Sequence, residues 1–342
     1  MIWIWVGFIT FVLLMLALDL GVFHRKAHDV RIKEALIWSG VWVTLALLFS
    51  VFVYFGYEGH WLGLGTAADA VGGQVNDGSS AVLKYLTGYV IEKSLSVDNI
   101  FVIAMLFGVL GVPNKYQHRV LFWGILGALI MRGIMIGVGA ELISRYHWIL
   151  YIFGGFLILT AVKMLIMNTG HTDPSQNMVL RLVRRWFRVT EDYHGQHFVA
   201  HLPIGWSLTP LGIALVLVET TDLIFAVDSI PAIFAVTADP FLVFTSNVFA
   251  ILGLRSLYFA LAGMIDKFRY LKPALAVVLA VVGVKMLLAV QIKAVLGENS
   301  NIYLLCVVML ILTIGVVASL ISAKHTPVVG TPGKTQGSEG AE

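Results

Sequence analysis

Acidic side chains lie deep inside long apolar stretches of this 342-residue chain, where a bilayer would keep water away from them. Five acids have this setting: Glu92, Asp98, Glu219, Asp222 and Asp228. A charged aspartate at the centre of a membrane helix costs roughly 2.5–3.5 kcal/mol to insert. These carboxylates are therefore expected to be protonated, paired with a base or bound to a cation.

Two kinds of chemistry suit such carboxylates. One is a structural ion-pair network with the basic residues of the same stretches: Lys84, Lys93, Arg132, Lys163, Arg255 and Lys285. The other is a cation site, to which Asn99 and Ser229 would add neutral oxygen ligands. The acids concentrate in two related helices, which an ion-pair network would not require, so the pattern favours the cation site. Oxygen ligands suit Mg²⁺, Ca²⁺ or Mn²⁺, whereas Zn²⁺ and Cu⁺ prefer the imidazole and thiolate ligands that these stretches lack.

The composition predicts an all-α polytopic membrane protein. Hydrophobic residues make up 58% of the chain and charged residues only 13%, against about 25% in soluble domains. About nine transmembrane helices are predicted, near 2–22, 35–57, 80–111, 118–140, 147–167, 206–237, 240–264, 272–292 and 301–322. The loops on one side hold fifteen Lys and Arg residues, and those on the other side hold only two. This bias predicts the N-terminus outside and the C-terminus inside, which requires an odd number of spans.

The chain divides into a transmembrane transporter domain, 1–325, and a cytoplasmic tail, 326–342, whose Gly-, Pro- and Ser-rich composition predicts disorder. The longest connection is the cytoplasmic loop 168–205. Its arginine-rich segment 179–188 is predicted to lie as a helix on the inner membrane surface. The single cysteine, Cys306, excludes a disulfide framework.

An internal repeat links the two acidic helices. Repeat one spans 80–167 and repeat two spans 206–292. The aligned segments are Glu92 with Asp222, Val97-Asp98-Asn99-Ile100 with Val227-Asp228-Ser229-Ile230, and Val162-Lys163-Met164-Leu165 with Val284-Lys285-Met286-Leu287. Three spans per copy make the copies cross the membrane in opposite senses. Inverted three-helix repeats are typical of secondary transporters, with the binding site at their interface near the midplane.

On a straight helix Glu92 and Asp98 would lie roughly 120° apart, so they would not share one face. Their convergence is therefore predicted to need interrupted helices. Pro231, whose ring clashes with the carbonyl of Val227, places one such interruption beside Asp228.

Further residues are candidates for gating or coupling: Asp19, Lys163, Lys285, Arg132, Arg255 and Pro231. Asp19 is either a gate or an interfacial residue. Lys163 and Lys285 lie near span ends, where snorkelling to the interface is the default. The alternative for both lysines is that their charge helps to release a bound metal ion.

Three stretches, 88–101, 218–237 and 245–255, resemble the TerC family, and within it the Alx-type members of the LysE-like group of exporters. The resemblance implies Mn²⁺ export. By motif match it assigns the metal role to Glu92, Asp98, Glu219, Asp222 and Asp228. Glu219 has no acidic counterpart in repeat one, where Tyr89 stands, so an asymmetric site is expected.

The resulting hypothesis is a secondary transporter in the bacterial inner membrane that exports Mn²⁺ from the cytoplasm, with protons as the counter-ion. It predicts no enzyme activity, no organic cofactor and no nucleic-acid partner. An alternative is a membrane factor that delivers metal to exported proteins without net flux of its own.

Overall fold

The computed structural model describes residues 2–18, 32–71, 73–166, 185, 188–190, 192–202, 205–261, 270–297 and 300–325. The helices are α1 (Ile2–Leu18), α2 (Ile32–Glu58), α3 (Gly78–Val109), α4 (Asn114–Arg145), α5 (Ile149–Ile166), α6 (Pro210–Phe234), α7 (Pro240–Leu252), α8 (Leu254–Leu261), α9 (Leu271–Leu287), α10 (Ala289–Leu296) and α11 (Ser300–His325). Asp19, nearly all of segment 179–188 and the tail 326–342 lie outside the described residues, so the predictions made for them stand as they were.

The all-α membrane architecture is confirmed. Within the described ranges six helical units are long and apolar enough to cross a bilayer: α2, α4, α5, α6, α7 together with α8, and α11. The bent pair α9–α10 would be a seventh. The other two predicted spans are the 17-residue apolar helix α1 and the 32-residue helix α3, which carries four charged side chains. The count of nine and the orientation stay predictions.

The loop 168–205 leads into a small antiparallel hairpin that the sequence did not predict. Strand β1 (Val199–Leu202) pairs with β2 (Gly205–Leu208), with Val199 opposite Leu208 and Leu202 opposite Gly205. Its segments are four residues long, too short to show the alternating pattern on which a strand prediction depends.

Side-chain caps fix where three helices of the core begin. Asp77 accepts a hydrogen bond from Ser80 N (2.7 Å) at the start of α3, and Thr209 accepts one from Gly212 N (3.2 Å) at the start of α6. Asp239 caps α7 through Phe241 N (3.0 Å). Pro210 and Pro240 stand at the first helical positions, where no backbone donor is lost.

The predicted interruption of the acidic helices is wrong. Both α3 and α6 are continuous, and Pro231 lies in the last turn of α6, which ends three residues later. The breaks occur instead at Gly253 and at Leu288. Lys93 accounts for the first break, because its Nζ donates to the Ala250 carbonyl (3.2 Å) near the end of α7. A Cβ at Gly253 would lie only 2.6 Å from that nitrogen.

The helices of the two predicted repeats pack reciprocally. The first helix of each repeat, α3 or α6, contacts the second helix of the other, α7 or α4. The two first helices contact each other, and so do the third helices, α5 and α9. Two copies related by a twofold axis would pack in this way. The packing therefore agrees with the repeat, which stays a prediction.

The connections α2–α3, α4–α5, α6–α7 and α9–α11 meet at one end of the bundle, which the charge bias predicts to be outside and which is called the outer end here. Buried Asp69 connects the elements at this end through hydrogen bonds. It accepts from Lys84 Nζ (2.8 Å), from the Thr237 hydroxyl and from Ala238 N (2.9 Å). Burial alone would raise the pKa of Asp69, but the Lys84 ammonium and these hydrogen bonds hold it below its usual 3.8.

Candidate cation site

Two of the five intramembrane acids bind one arginine. Arg132 on α4 is only 2% exposed, and Glu92 and Asp222 are 0% and 8% exposed. The guanidinium donates two parallel hydrogen bonds to Asp222, from Nε to Oδ2 (3.1 Å) and from Nη2 to Oδ1 (3.0 Å). Its Nη1 binds Glu92 Oε1. This is the fork geometry that makes arginine suited to buried carboxylates.

Neutral side chains complete this arginine cluster. Arg132 Nη1 also donates to Asn247 Oδ1 (2.9 Å) and Ser229 Oγ (3.2 Å), and Asn247 Nδ2 donates to Glu92 Oε2 (3.4 Å). Every oxygen of Glu92 and Asp222 therefore has a partner. One guanidinium faces two carboxylates, so the cluster carries a net charge of −1 when both acids are ionised.

A second group of polar residues surrounds a small cavity between α3 and α6. Its volume of about 30 Å³ exceeds the roughly 10–15 Å³ that a single water needs. The lining residues are Glu92, Leu95, Asp98 and Asn99 on α3, Phe225, Asp228 and Ser229 on α6, and Met164, Leu275 and Leu279 on α5 and α9. Asp98 and Asn99 thus line the same cavity as Asp228 and Ser229, the positions that correspond to them in the predicted repeat.

Continuous helices bring the lining residues of α3 and α6 together, because a broad face of α3 borders the cavity. Glu92, Leu95 and Asn99 follow the i, i+3, i+7 spacing of one helical face, and Asp98 lies at its edge. On α6, the lining residues Phe225, Asp228 and Ser229 follow the i, i+3, i+4 spacing of one helical face. The two faces meet where α3 and α6 pack together, so no break is needed.

Asn99 is the clearest sign that the cavity accommodates a ligand. The residue is 3% exposed, and its Oδ1 has no hydrogen-bond partner among the described residues. Leaving a buried carbonyl unpaired costs about 1–3 kcal/mol. A cation in the cavity would satisfy this oxygen.

Asp98 and Asp228 are the acids that remain available at the cavity. Asp228 Oδ1 accepts a hydrogen bond from the Thr160 hydroxyl (3.0 Å). Each acid also has a lysine within electrostatic range, Lys272 for Asp98 and Lys163 for Asp228, yet neither pair comes within 4 Å in the described structure.

Within the part of the chain that the structure describes, no three histidine, cysteine or acidic side chains lie close enough together to hold a metal ion. A cation here would therefore be bound by two carboxylates, neutral oxygens and water. Two carboxylates with retained water suit a hard divalent ion.

Glu219 belongs to neither group. Its carboxylate packs against the backbone of Gly127 on α4, where an added Cβ would clash with it. Its Oε2 is buried without a partner among the described residues. The predicted ligand set thus divides into the arginine cluster with Glu92 and Asp222, the cavity with Asp98, Asn99, Asp228 and Ser229, and Glu219 by itself.

The profile of the integral membrane protein TerC family matches residues 77–326, a region that holds every residue of these groups. The chain belongs to the TerC family. It is 50% identical over 325 residues to the uncharacterized membrane protein STKORF319 of Myxococcus xanthus, covering 95% of this chain and 94% of that one. It is 47% identical over 286 residues to Alx of Escherichia coli K12, whose name proposes a membrane-bound redox modulator, covering 83% and 85%. No solved structure matches the chain.

Of the other described candidates in this TerC protein, Lys163 is within electrostatic range of Asp228, whereas Lys285 and Arg255 do not line the cavity. Lys285 is at the outer end, where its Nζ donates to the Ala235 carbonyl (2.6 Å) and to Asn301 Oδ1 (3.0 Å). Arg255 on α8 lies 3.0 Å from His118 Nε2. Sequence reasoning missed Asn247 and Thr160, which bind Glu92 and Asp228.

Proposed function

We propose that this TerC protein is a secondary transporter that exports Mn²⁺ from the cytoplasm across the bacterial inner membrane. The transported ion is held between Asp98 and Asp228, with Asn99 and Ser229 as neutral ligands. The observation that carries the proposal is the unpartnered Asn99 Oδ1 beside two carboxylates, in a cavity between the two repeats. The bacterial origin of the relatives supports the location.

Arg132 has a different part in this mechanism. It neutralises one of the two charges of Glu92 and Asp222, which lowers the cost of keeping them in the bilayer. Because the guanidinium of Arg132 already binds both Glu92 and Asp222, the transported ion binds in the neighbouring cavity. The net charge that remains on the cluster attracts a cation towards that cavity.

Protons provide the counter-ion. When the cation leaves, Asp98 and Asp228 would face each other as unpaired carboxylates in a medium of low dielectric constant, which favours their protonation. Cation binding displaces those protons. An exchange of protons for metal therefore follows from the same two side chains, without ATP.

Mn²⁺ is favoured among the hard divalent ions by Met164, whose side chain lines the cavity. A thioether is a soft ligand and adds little for Ca²⁺ or Mg²⁺. Among the lining residues that the structure describes, Met164 is the one methionine.

Reconstituted flux tests the proposal. Purified protein is reconstituted into sealed vesicles that contain a Mn²⁺-sensitive dye. The Mn²⁺ flux of the wild type is compared with the flux of Asp98→Asn and of Glu141→Gln. Glu141 is an exposed acid at the far end of α4, paired with Arg145, and serves as the matched control. We expect flux to fall about tenfold or more in Asp98→Asn, because a charged ligand is lost, and to be retained in the control.

Unchanged flux in Asp98→Asn would remove Asp98 from the mechanism. Mn²⁺ binding without any flux in the wild type would favour the metal-delivery alternative. Competition by Mg²⁺ and Ca²⁺ in the same vesicles measures the selectivity.

A further inference from the structure

A second and larger cavity of about 410 Å³ lies at the outer end of the bundle. It is enclosed by the α2–α3 connection, the starts of α3, α5 and α11, the residues that follow α6 and the bent pair α9–α10. This outer cavity shares no lining residue with the small cavity between α3 and α6, which is called the cation cavity here. Its volume leaves room for an ion with several water molecules, since one water needs roughly 10–15 Å³.

The outer cavity lies in line with the cation cavity, because α3, α5, α9 and the end of α6 border both. On α3 the lining residues Lys84 and Glu92 are eight residues apart, which is about 12 Å along a helix. On α9 the lining residues Leu279 and Lys285 are six residues apart, which is about 9 Å. The outer cavity therefore continues the cation cavity towards the outer end.

A layer of apolar side chains separates the two cavities. On each of the four helices one fully buried residue lies between the lining residues of one cavity and those of the other: Ile91, Leu157, Ile233 and Val282. All four belong to one hydrophobic cluster. A Cβ at Gly283 would lie 3.2 Å from Leu157 Cβ, and one at Gly88 would lie 3.3 Å from Ile233 Cγ2, so the helices are closely packed at this level. An apolar constriction of this kind excludes water and ions.

Two sets of polar contacts hold the helices together on the outer side of this layer. Lys285 Nζ donates to the Ala235 carbonyl (2.6 Å) and to Asn301 Oδ1 (3.0 Å), which joins α9 to the end of α6 and to the start of α11. Asp69 accepts from the Thr237 hydroxyl, which joins the α2–α3 connection to the α6–α7 connection. Both sets would break if the end of α6 moved away from its neighbours.

We propose that the outer cavity is the vestibule through which the exported ion leaves, and that these two sets of contacts form an outer gate, which is closed in this structure. The inference rests on the proposed function, because it takes the ion to start from the cation cavity. Asp77 is the one acid among the lining residues that the structure describes, and it already caps α3. The vestibule therefore holds a divalent cation weakly and releases it. Lys285, a gating candidate in the sequence, acts in this gate through its hydrogen bonds.

The gate is tested by the accessibility of single cysteines from outside the cell, without Mn²⁺. The reporter is Leu95→Cys, which lines the cation cavity, in a Cys306→Ser background. Val75→Cys in the same background is the positive control, because Val75 is exposed and lines the vestibule. A thiol reagent that does not cross the inner membrane is added to spheroplasts, and the labelling rate of each cysteine is measured.

Two gate variants are combined with each reporter. Thr237→Val removes the hydroxyl that donates to Asp69, and Lys285→Met removes the ammonium that joins α9 to α6 and α11. Glu141→Gln is the matched control, because it removes an acid from an exposed ion pair near the same end of the bundle.

We expect Val75→Cys to be labelled in every background and Leu95→Cys to be labelled slowly in the otherwise unchanged protein. Either gate variant should label Leu95→Cys up to about tenfold faster, because a hydrogen bond lost from the closed state alone shifts the equilibrium towards the open state. Glu141→Gln should leave the rate unchanged. If one gate variant does not fold, the other decides.

The proposal is overturned if the gate variants label Leu95→Cys no faster than Glu141→Gln does. It is also overturned if Leu95→Cys is labelled as fast as Val75→Cys without any gate variant, or if Val75→Cys is not labelled from outside. Since labelling needs no Mn²⁺, an absence of Mn²⁺ flux in reconstituted wild type would refute the proposed function and leave this readout unaffected.

Discussion

Arg132 binds two of the five intramembrane acids and so limits which of them a cation can reach. By holding Glu92 and Asp222 in one hydrogen-bonded cluster, it leaves Asp98 and Asp228 as the carboxylates available to a cation in the cavity between α3 and α6. Removing one partner of a buried ion pair costs about 3–5 kcal/mol, because the remaining charge is left without compensation. Arg132 is therefore the residue on which the stability of the acidic core depends most.

Substitution of Arg132 tests this role. Arg132→Gln should lower the free energy of unfolding in detergent by about 3–5 kcal/mol, since it leaves two buried carboxylates unpaired. Adding Glu92→Gln and Asp222→Asn should recover much of the loss, because the buried charges disappear together. A triple variant as unstable as Arg132→Gln would show that Arg132 acts through packing and not through charge.

At this scale the sequence identified the acids but not their partners. The predicted repeat aligned Glu92 with Asp222 and Asp98 with Asp228. In the structure the first pair binds one arginine, Arg132, and the second pair lines one cavity. Asn247, which joins the arginine cluster, is 115 residues from Arg132 along the chain. No spacing rule connects positions so distant, so contacts of this kind come from the packing of α4 against α7.

At the scale of elements, the site is positioned by close helix contacts that glycine allows. Helices α5 and α9 meet at Gly154 and Gly283, where a Cβ added to Gly283 would lie 2.9 Å from the Gly154 carbonyl oxygen. Small residues let membrane helices approach in this way. Met164 of α5 and Leu279 of α9 line the small cavity between α3 and α6, so this contact helps to position them there.

The neighbouring residues Gly154 and Gly155 provide a test of the contact between α5 and α9. A Cβ at Gly154 would lie 2.9 Å from Leu287 Cδ2, whereas one at Gly155 would meet nothing within 4 Å. Gly154→Ala should therefore destabilise the protein by about 1–3 kcal/mol through overpacking, and Gly155→Ala should be neutral or slightly stabilising. Unfolding of both variants in the same detergent checks this, and equal stabilities would contradict the described contact between α5 and α9.

The spans were predictable from composition, because a run of apolar residues shows directly in the sequence. The helix breaks were not. Pro231 suggested an interruption beside Asp228, yet it lies so near the end of α6 that the helix ends instead of bending. The break at Gly253 depends on Lys93, a residue of another helix, and a pattern along one helix does not show such a contact.

On the scale of the whole molecule, the two ends of the bundle differ. The small cavity between α3 and α6 is lined by Glu92 and Asn99 from the middle part of α3 and by Asp228, six residues before the outer end of α6, so it lies inside the bundle and not at either end. The outer end is tied by Asp69, Lys84 and Thr237. Export in this account requires these outer contacts to open.

The most direct test of the central claim is the position of the ion itself. Diffraction data collected at the manganese absorption edge, from crystals of the full chain grown with Mn²⁺, give an anomalous difference map that shows only the metal. The account predicts a peak between Asp98 and Asp228, with Arg132 still bound to Glu92 and Asp222. A peak that displaces the Arg132 guanidinium, or lies at Glu219, would contradict it, as would a map with no peak inside the bundle.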